Sequence, residues 1–412
     1  MLNDGQKAAK TALTQWLITP NSKYFVLKGA AGMGKSYLLN DIIGGWDLIN
    51  KQQKLLQIDS TAYPIVAAST NKAASHLEGA TSLHKALGLT LITNYKTGKK
   101  RTAKTKKSTV LESGCMIIDE SSMLGDELIA LVDELTDVNC KVIFVGDPEQ
   151  LAPVGDASGN IPPVFTKDWP SAELTEPMRQ EEKSHLYSQL GKLRDAVKQG
   201  SLHLPEEGDG ITFLDQAEFL AKATEAMKEH AGEDRVLAYT NSQVEGMNGY
   251  LRKQIFGNTE LQIGDLVVAA NSAVGEAGEG AERTQVEALY EITAIQPGEE
   301  DFYGIKCRII TLDNGETYRI PVNKKEWQAR VKRLANEARR DGNWKMMFTL
   351  SEGVADLREA YSCTVDKSQG STYRNVYVDL QNLMSCHDRD RLARMIYVAC
   401  SRAKENVFIY KG

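Results

Sequence analysis

The sequence predicts an α/β protein of two parallel-sheet units, the second interrupted by a small all-β insertion. Three observations predict it. An apolar run, Tyr24–Lys28, leads into Gly29-Ala30-Ala31-Gly32-Met33-Gly34-Lys35-Ser36 and then a helical stretch, Ser36–Ile43. That is the strand, loop, helix order of a phosphate-binding loop. Further short apolar runs at 64–71, 115–119 and 141–145, and again from residue 235, read as buried strands. Between 262 and 323 the pattern shifts to the alternation of antiparallel strands.

Composition narrows the classes of function. The chain has 412 residues, 42% hydrophobic and 25% charged, which is ordinary for a globular protein of two or three domains. Its net charge of −6 provides no global positive field, so a nucleic-acid partner would have to be held by a local groove. The first residues, Met1–Gln6, lack a signal-peptide pattern, and the apolar runs are too short to span a bilayer. A cytoplasmic protein without membrane contact is expected. The six cysteines form no C-x-x-C pair and the six histidines lack ligand spacing. The cysteines read as small hydrophobes, and no structural metal is expected.

Residues 4–17 place Ala9, Leu13, Trp16 and Leu17 at helical spacing. Gln6, just upstream of the phosphate loop, offers the paired donor and acceptor that the edge of adenine needs. In the loop the glycines let backbone N–H groups turn toward phosphate oxygens. Lys35 can then reach the β- and γ-phosphates of ATP, and the Ser36 hydroxyl can ligate Mg²⁺. The strand at 64–71 ends in Ser69-Thr70-Asn71, and Thr81-Ser82-Leu83-His84 follows; both present small polar groups that can bond phosphates or cap helices. Residues 94–108 hold seven basic residues, among them Lys99, Lys100 and Arg101, and no acidic one, with Thr97-Gly98 as a hairpin turn. In an acidic chain this is the clearest nucleic-acid footprint.

Cys115–Met123 then provides a strand ending in two carboxylates. Asp119 is placed to hold Mg²⁺ and Glu120 to orient and deprotonate the attacking water. A helix over 126–135 leads to the strand at 141–145 and to Gly146–Val154, where Gln150 would sense the γ-phosphate. Arg179, after Pro177, reads as an arginine finger. Residues 181–234 are charged and mostly helical, and the domain boundary falls near their start. The second unit's first strand is read at 235–241, with an amphipathic helix at 244–256. Strands at 289–295, 304–312 and 316–322, with an Asn314-Gly315 turn, suggest a small barrel. Residues 276–301 read as an acidic loop and 324–340 as a basic helix. The second unit resumes at Tyr361–Thr372, with strands at 375–379 and 406–410 and Arg402 at a helix end between them.

A phosphate loop, an Asp-Glu strand, a Gly-Asp-Pro-x-Gln loop and two isolated arginines, in that order, resemble the superfamily 1 helicases. More closely, the chain is similar to the Dda-like and RecD-like B branch, which moves 5′ to 3′ on DNA, over nearly all its length from Gln6 to Tyr410. The resemblance implies two RecA-like domains: residues 1–180, then 181–261 together with 354–412. It makes residues 89–112 a strand-separating pin and residues 262–353 an SH3-like barrel with a basic helix. Gln6 becomes the adenine contact, and Lys35, Ser36, Asp119, Glu120 and Gln150 the nucleotide site. Arg179 and Arg402 meet the γ-phosphate at the interdomain cleft. Thr70, Asn71, His84, Thr240, Asn241, Thr364 and Lys367 fall in segments that line the single-strand channel. Two positions depart from the family: Asp366 stands in place of its usual histidine, and Ser401 in place of threonine. An acid beside a phosphate track would repel it, so Asp366 either faces a basic partner in the other domain or weakens DNA contact there.

The expected function is an ATP-dependent, Mg²⁺-requiring DNA helicase acting on single-stranded and tailed duplex DNA. Replication or recombination proteins are candidate partners, and the setting is a bacterial or phage-infected cell. Two other readings share the motifs. One is a translocase that displaces bound proteins without much unwinding; the other is a nucleotide-gated binding switch whose hydrolysis DNA does not stimulate.

Overall fold

The computed structural model describes residues 2–19, 22–56, 63–69, 79–93, 100–153, 159–176, 185–230, 232–258, 260–276, 282–286 and 288–412. Thr70, Asn71, Lys99, Arg179 and the Thr97-Gly98 turn lie outside these residues, as do the side chains of Lys100 and Arg101.

The N-terminal part of the chain forms β1 (Tyr24–Gly29), β2 (Ile65–Ala68), β3 (Thr81–Ser82), β4 (Leu89–Thr93), β5 (Lys100–Lys104), β6 (Gly114–Asp119), β7 (Cys140–Gly146) and β8 (Ser171–Leu174). Six of them make a parallel sheet in the order β3-β2-β6-β7-β1-β8, while β4 and β5 pair separately as an antiparallel hairpin. The central strands are apolar on both faces because helices cover both. Phe25, Leu27, Ile117, Ile143 and Val145 pack with Leu13, Trp16, Leu38 and Ile42 on one side. The alternate residues Val26, Met116, Ile118, Val142 and Phe144 pack with Ile129 and Val132 on the other. Edge strand β8 was not signalled by any apolar run, since only Leu174 of its four residues is buried.

The rest of the chain adds β9 (Ile211–Leu214), β10 (Arg235–Ala238), β11 (Leu266–Ala269), β12 (Leu289–Ile295), β13 (Glu300–Phe302), β14 (Ile305–Leu312), β15 (Thr317–Pro321), β16 (Leu357–Glu359), β17 (Ser362–Thr364), β18 (Tyr373–Asp379) and β19 (Ala403–Tyr410). A second parallel sheet runs β17-β10-β18-β19-β9. Its first strand in the chain is therefore β9, ahead of the expected start at Arg235. Only Ile211 of this four-residue edge strand is fully buried, too little to announce itself. Helices His185–Lys198 and Arg389–Ser401 pack on one face. Gln216–Glu229 and Asn241–Phe256 pack on the other.

Between β10 and β17 lies an antiparallel sheet, β13-β14-β12-β11-β16, with β15 beside β14. It extends through Glu359, past the boundary expected at 353, because β16 pairs with β11. The acidic stretch 276–301 contains β12 and the start of β13 rather than only a loop, and Glu276 and Glu300 both pair with Arg319. Helices Lys324–Asp341 and Lys345–Glu352 pack together through Trp327, Leu334, Trp344 and Phe348. No helix among the described residues is long and apolar enough to cross a membrane.

Candidate functional site

The phosphate loop leaves β1 at Gly29 and enters the helix Lys35–Gly44. Gly32 and Gly34 take φ of 83° and 75°, the left-handed region that favours glycine. Lys35 Nζ lies across the loop, donating to Gly29 O at 2.8 Å and Ala30 O at 2.9 Å. Ser36 is the next helical residue. Gln6 is fully buried behind this loop: Nε2 donates to Met33 O at 3.4 Å, while Oε1 accepts from Asn3 N at 3.1 Å in a capping box. Its amide thus joins the first helix to the phosphate loop.

Asp119 ends β6, two strands from the phosphate loop, and Glu120 follows at φ 50°. A non-glycine residue in that region stores strain of about 1–3 kcal/mol and commonly marks a functional turn. Asp119 Oδ1 accepts from Glu120 N at 2.8 Å. Burial, reinforced by the neighbouring Glu120 carboxylate, pushes the Asp119 carboxyl up to about 6. Glu120 Oε1 is buried without a protein partner among the described residues. Two adjacent carboxylates, with Asp119 raised by burial and short of cationic compensation, supply oxygen donors of the kind that fit a hard divalent cation such as Mg²⁺.

Gln150 is buried where the two parallel-sheet units meet. Its Oε1 accepts from Ser122 Oγ and from Gln369 Nε2, each at 3.4 Å; Gln369 Nε2 also donates to Leu151 O at 3.1 Å. Helix Arg389–Ser401 grips the same loop. Arg394 Nη1 donates to Pro148 O at 2.7 Å and to Gln150 O at 3.0 Å, and Tyr397 Oη to Asp147 Oδ2 at 2.5 Å. Arg194, from helix His185–Lys198, adds ion pairs to Asp147 at 3.4 Å, Glu149 at 2.8 Å and Glu173 at 3.1 Å. Burial, then the hydrogen bond and charge of Asp147, push Glu149 up to about 8. Asp147 is also raised by burial, but the hydrogen bond from Glu149 and the Arg194 guanidinium outweigh this and hold it below the usual carboxylate value. Folding thus favours the proton on Glu149 and the charge on Asp147.

Asp147, Glu149, Arg194, Gln369, Arg394 and Tyr397 were all missed in the sequence. Asp147 and Glu149 flank a motif residue, and Tyr397 and Arg394 precede Arg402 on one helix, which is a usable signal. Arg194 had none. Arg402 itself caps that helix, with its guanidinium on Val398 O at 3.2 Å, Ser401 Oγ at 2.8 Å and Ser371 O at 3.3 Å, all within the second unit.

Of the remaining candidates, His84, Thr240, Asn241, Thr364 and Lys367 are described, and they lie at or just beyond the C-terminal ends of neighbouring strands, where α/β proteins place ligands. In the first sheet β2 and β3 run side by side toward Ser69 and His84, whose pKa burial lowers from the ordinary histidine value. In the second, β10 and β17 pair at Ala238 and Thr364. Thr240 caps the helix Asn241–Phe256 by accepting from Gln243 N at 3.2 Å, and it accepts from Asn382 Nδ2 at 3.3 Å. Thr364 Oγ accepts from Lys367 N at 3.4 Å. Asp366 does have a basic partner, but in its own unit: Arg391 Nη2 donates to Asp366 Oδ1 at 2.5 Å, which offsets the acid beside the strand ends.

The AAA domain family model matches residues 1–216, and the UvrD-like helicase C-terminal domain matches residues 359–410. The chain is 24% identical to the ATP-dependent DNA helicase dda of Enterobacteria phage T4, covering 99% of this chain and 98% of that one. It is 22% identical to an uncharacterized protein of Acanthamoeba polyphaga mimivirus, covering 99% of each. Among solved structures, the Pif1 helicase from Bacteroides in complex with ADP-AlF3 and ssDNA superposes with a TM-score of 0.52 at 18% identity, covering 99% of this chain and 92% of that one. Pif1 helicase in a complex described as two coordinating copies at forked dsDNA gives 0.53 at 18% identity, covering 100% and 92%. The chain belongs to the AAA domain family of phosphate-loop proteins. Its C-terminal segment also matches a helicase domain model, and over nearly its whole length it is similar to the Dda helicase and shares the fold of the Pif1 helicase structures.

Proposed function

We propose that the chain is an ATP-dependent DNA helicase that translocates 5′ to 3′ on single-stranded DNA and unwinds duplex. The observation that carries the reading is the grip of Arg394, Tyr397 and Gln369 on residues 147–151, which ties a γ-phosphate-facing loop to the second sheet. Movement of one unit against the other is thereby linked to the nucleotide state.

In this reading residues 1–180 form one RecA-like domain, with residues 89–112 as its pin. Residues 181–261 and 360–412 form the other, carrying an SH3-like insertion that runs through Glu359. ATP binds with Gln6 near adenine and its phosphates on the N–H groups of residues 29–36. Lys35 neutralises the β- and γ-phosphates, and Ser36 and Asp119 hold Mg²⁺, which would screen the phosphate charge. Glu120 takes the proton of the attacking water, and Gln150 reports the γ-phosphate. Closure brings Arg179 and Arg402 onto the charge that develops in the transition state; Arg402 exchanges its bonds to Ser371 and Val398 to reach it. Thr70, Asn71, His84, Thr240, Asn241, Thr364 and Lys367 grip the strand differently in open and closed states, so each cycle advances the protein. The phage relative supports placing the protein in a bacterial or phage-infected cell.

The test is ATP-driven strand displacement on matched duplexes with a 5′ or a 3′ single-stranded tail, with Lys35→Ala as the blank. Unwinding confined to the 5′-tailed duplex is expected. DNA-stimulated hydrolysis without unwinding of either would leave a translocase, and hydrolysis that DNA fails to stimulate would leave a binding switch.

A further inference from the structure

The helix Lys324–Asp341 has no role in that mechanism. Its inner side, Trp327, Leu334 and Ala338, is buried against the following helix, which leaves the opposite side to solvent. At 100° per residue, Lys325, Lys332, Arg333, Arg339 and Arg340 fall within about 120° of one another on that outer side, over a length of ~22 Å. Glu326 and Glu337 lie at its margin. All five basic residues are exposed, and none has a carboxylate partner among the described residues; Arg339 and Arg340 bond only to Asn336. Elsewhere in the same insertion the arginines are neutralised: Arg319 by Glu276 and Glu300, Arg308 by Glu260. In a chain of net charge −6, this stripe keeps its positive field.

Its placement indicates what the stripe meets. Lys324 Nζ lies 2.7 Å from Asp356 and 3.9 Å from Glu245, and Glu245 is also 3.6 Å from Arg358. Glu245 stands one turn after Asn241 on the helix Asn241–Phe256. The first turn of the helix thus stands beside the first turns of Asn241–Phe256, joined to it through the Lys324 side chain, and the stripe runs outward from there.

We propose that this face is a second binding surface for the sugar-phosphate backbone of single-stranded DNA, extending the channel outward from Thr240 and Asn241. It rests on the helicase reading above. With strand separation at the hairpin on the first unit, the strand that reaches the second unit is single. No exposed aromatic residue lies on this face of the helix, so the grip is electrostatic and indifferent to sequence.

The experiment measures binding of the full chain to oligothymidylates of about 8 and about 24 nucleotides, within and beyond the reach of one channel, across a salt series. The variants are Lys332→Glu/Arg333→Glu/Arg339→Glu and the same three positions changed to Gln, with thermal unfolding as the fold control. Wild-type protein should bind the longer strand more tightly and with a steeper salt dependence. The Glu variant should match it on the short strand, lose about tenfold or more on the long one, and show a salt slope lower by about 2, some 0.7 for each phosphate contact removed. The Gln variant should fall between. Unchanged affinity and slope on the long strand would overturn the proposal. So would a loss confined to blunt duplex, or to an acidic polypeptide such as polyglutamate. Wild-type protein that binds neither length would overturn the helicase reading and this surface with it.

Discussion

Lys35 at a helix start and Asp119 and Glu120 at a strand end are placed by backbone geometry, which sets their reach together with side-chain length. Lys35→Ala is expected to lose nucleotide binding and hydrolysis together. Glu120→Gln should bind ATP normally and hydrolyse it about 10²–10⁴-fold more slowly, as read by nucleotide binding and phosphate release. Substantial turnover in that variant would remove Glu120 from the role of base. The Asp147–Glu149 pair gives a separate, pH-dependent signature. Folding holds the Glu149 proton more tightly than the unfolded chain does, so this contribution is full below 4.5 and lost as pH rises through about 8. Asp147 acts oppositely, its contribution being present above 3.8 and lost as acid takes the pH through its lower folded value. The thermal midpoint should therefore decline between about pH 5 and about pH 8, and Glu149→Gln, which keeps a donor toward Asp147 without the charge, should flatten that decline.

The hairpin β4–β5 is held at its base. Gly88 has φ 63°, and a Cβ there would lie 2.8 Å from Ser108 N, so only glycine allows the two chain segments to approach. Thr105 Oγ and Ser108 Oγ both donate to Gly88 O at 2.7 Å, and Lys104 pairs with Glu134. A hairpin fixed at its root can transmit force at its tip. Neutralising Lys99, Lys100 and Arg101 is expected to reduce strand displacement severalfold more than DNA-stimulated ATP hydrolysis; equal loss of both would remove the pin assignment. The basic, threonine-rich composition of this stretch marked it in the sequence, whereas the Gly88 contact that stiffens it depends on packing between segments.

Across the molecule, the two parallel-sheet units touch through residues 147–151, and Arg394 bridges them without reaching the phosphate loop. Arg394→Ala should lower the DNA-stimulated kcat by about 2- to 30-fold, equivalent to about 0.5–2 kcal/mol of coupling, with little change in KM for ATP. An unchanged kcat alongside a lowered thermal midpoint would assign Arg394 to stability alone.

Local order along the chain carried the two parallel sheets and the segments bearing Lys35, Asp119 and Gln150, each just after or at the end of a strand. Phosphate loops, carboxylate-tipped strands and helical spacing are chemistry written within a few residues. Edge strands β8 and β9 were invisible because one buried residue in four leaves no period to read. The Asp147–Glu149 pair and its clamps were equally hidden. Arg194 and Tyr397 reach Asp147 from 47 and 250 residues away, and only packing of two helices against one loop makes them neighbours. Likewise, the sequence left two fates open for Asp366, and the tertiary structure decided it by placing Arg391, 25 residues on, where its guanidinium meets the carboxylate.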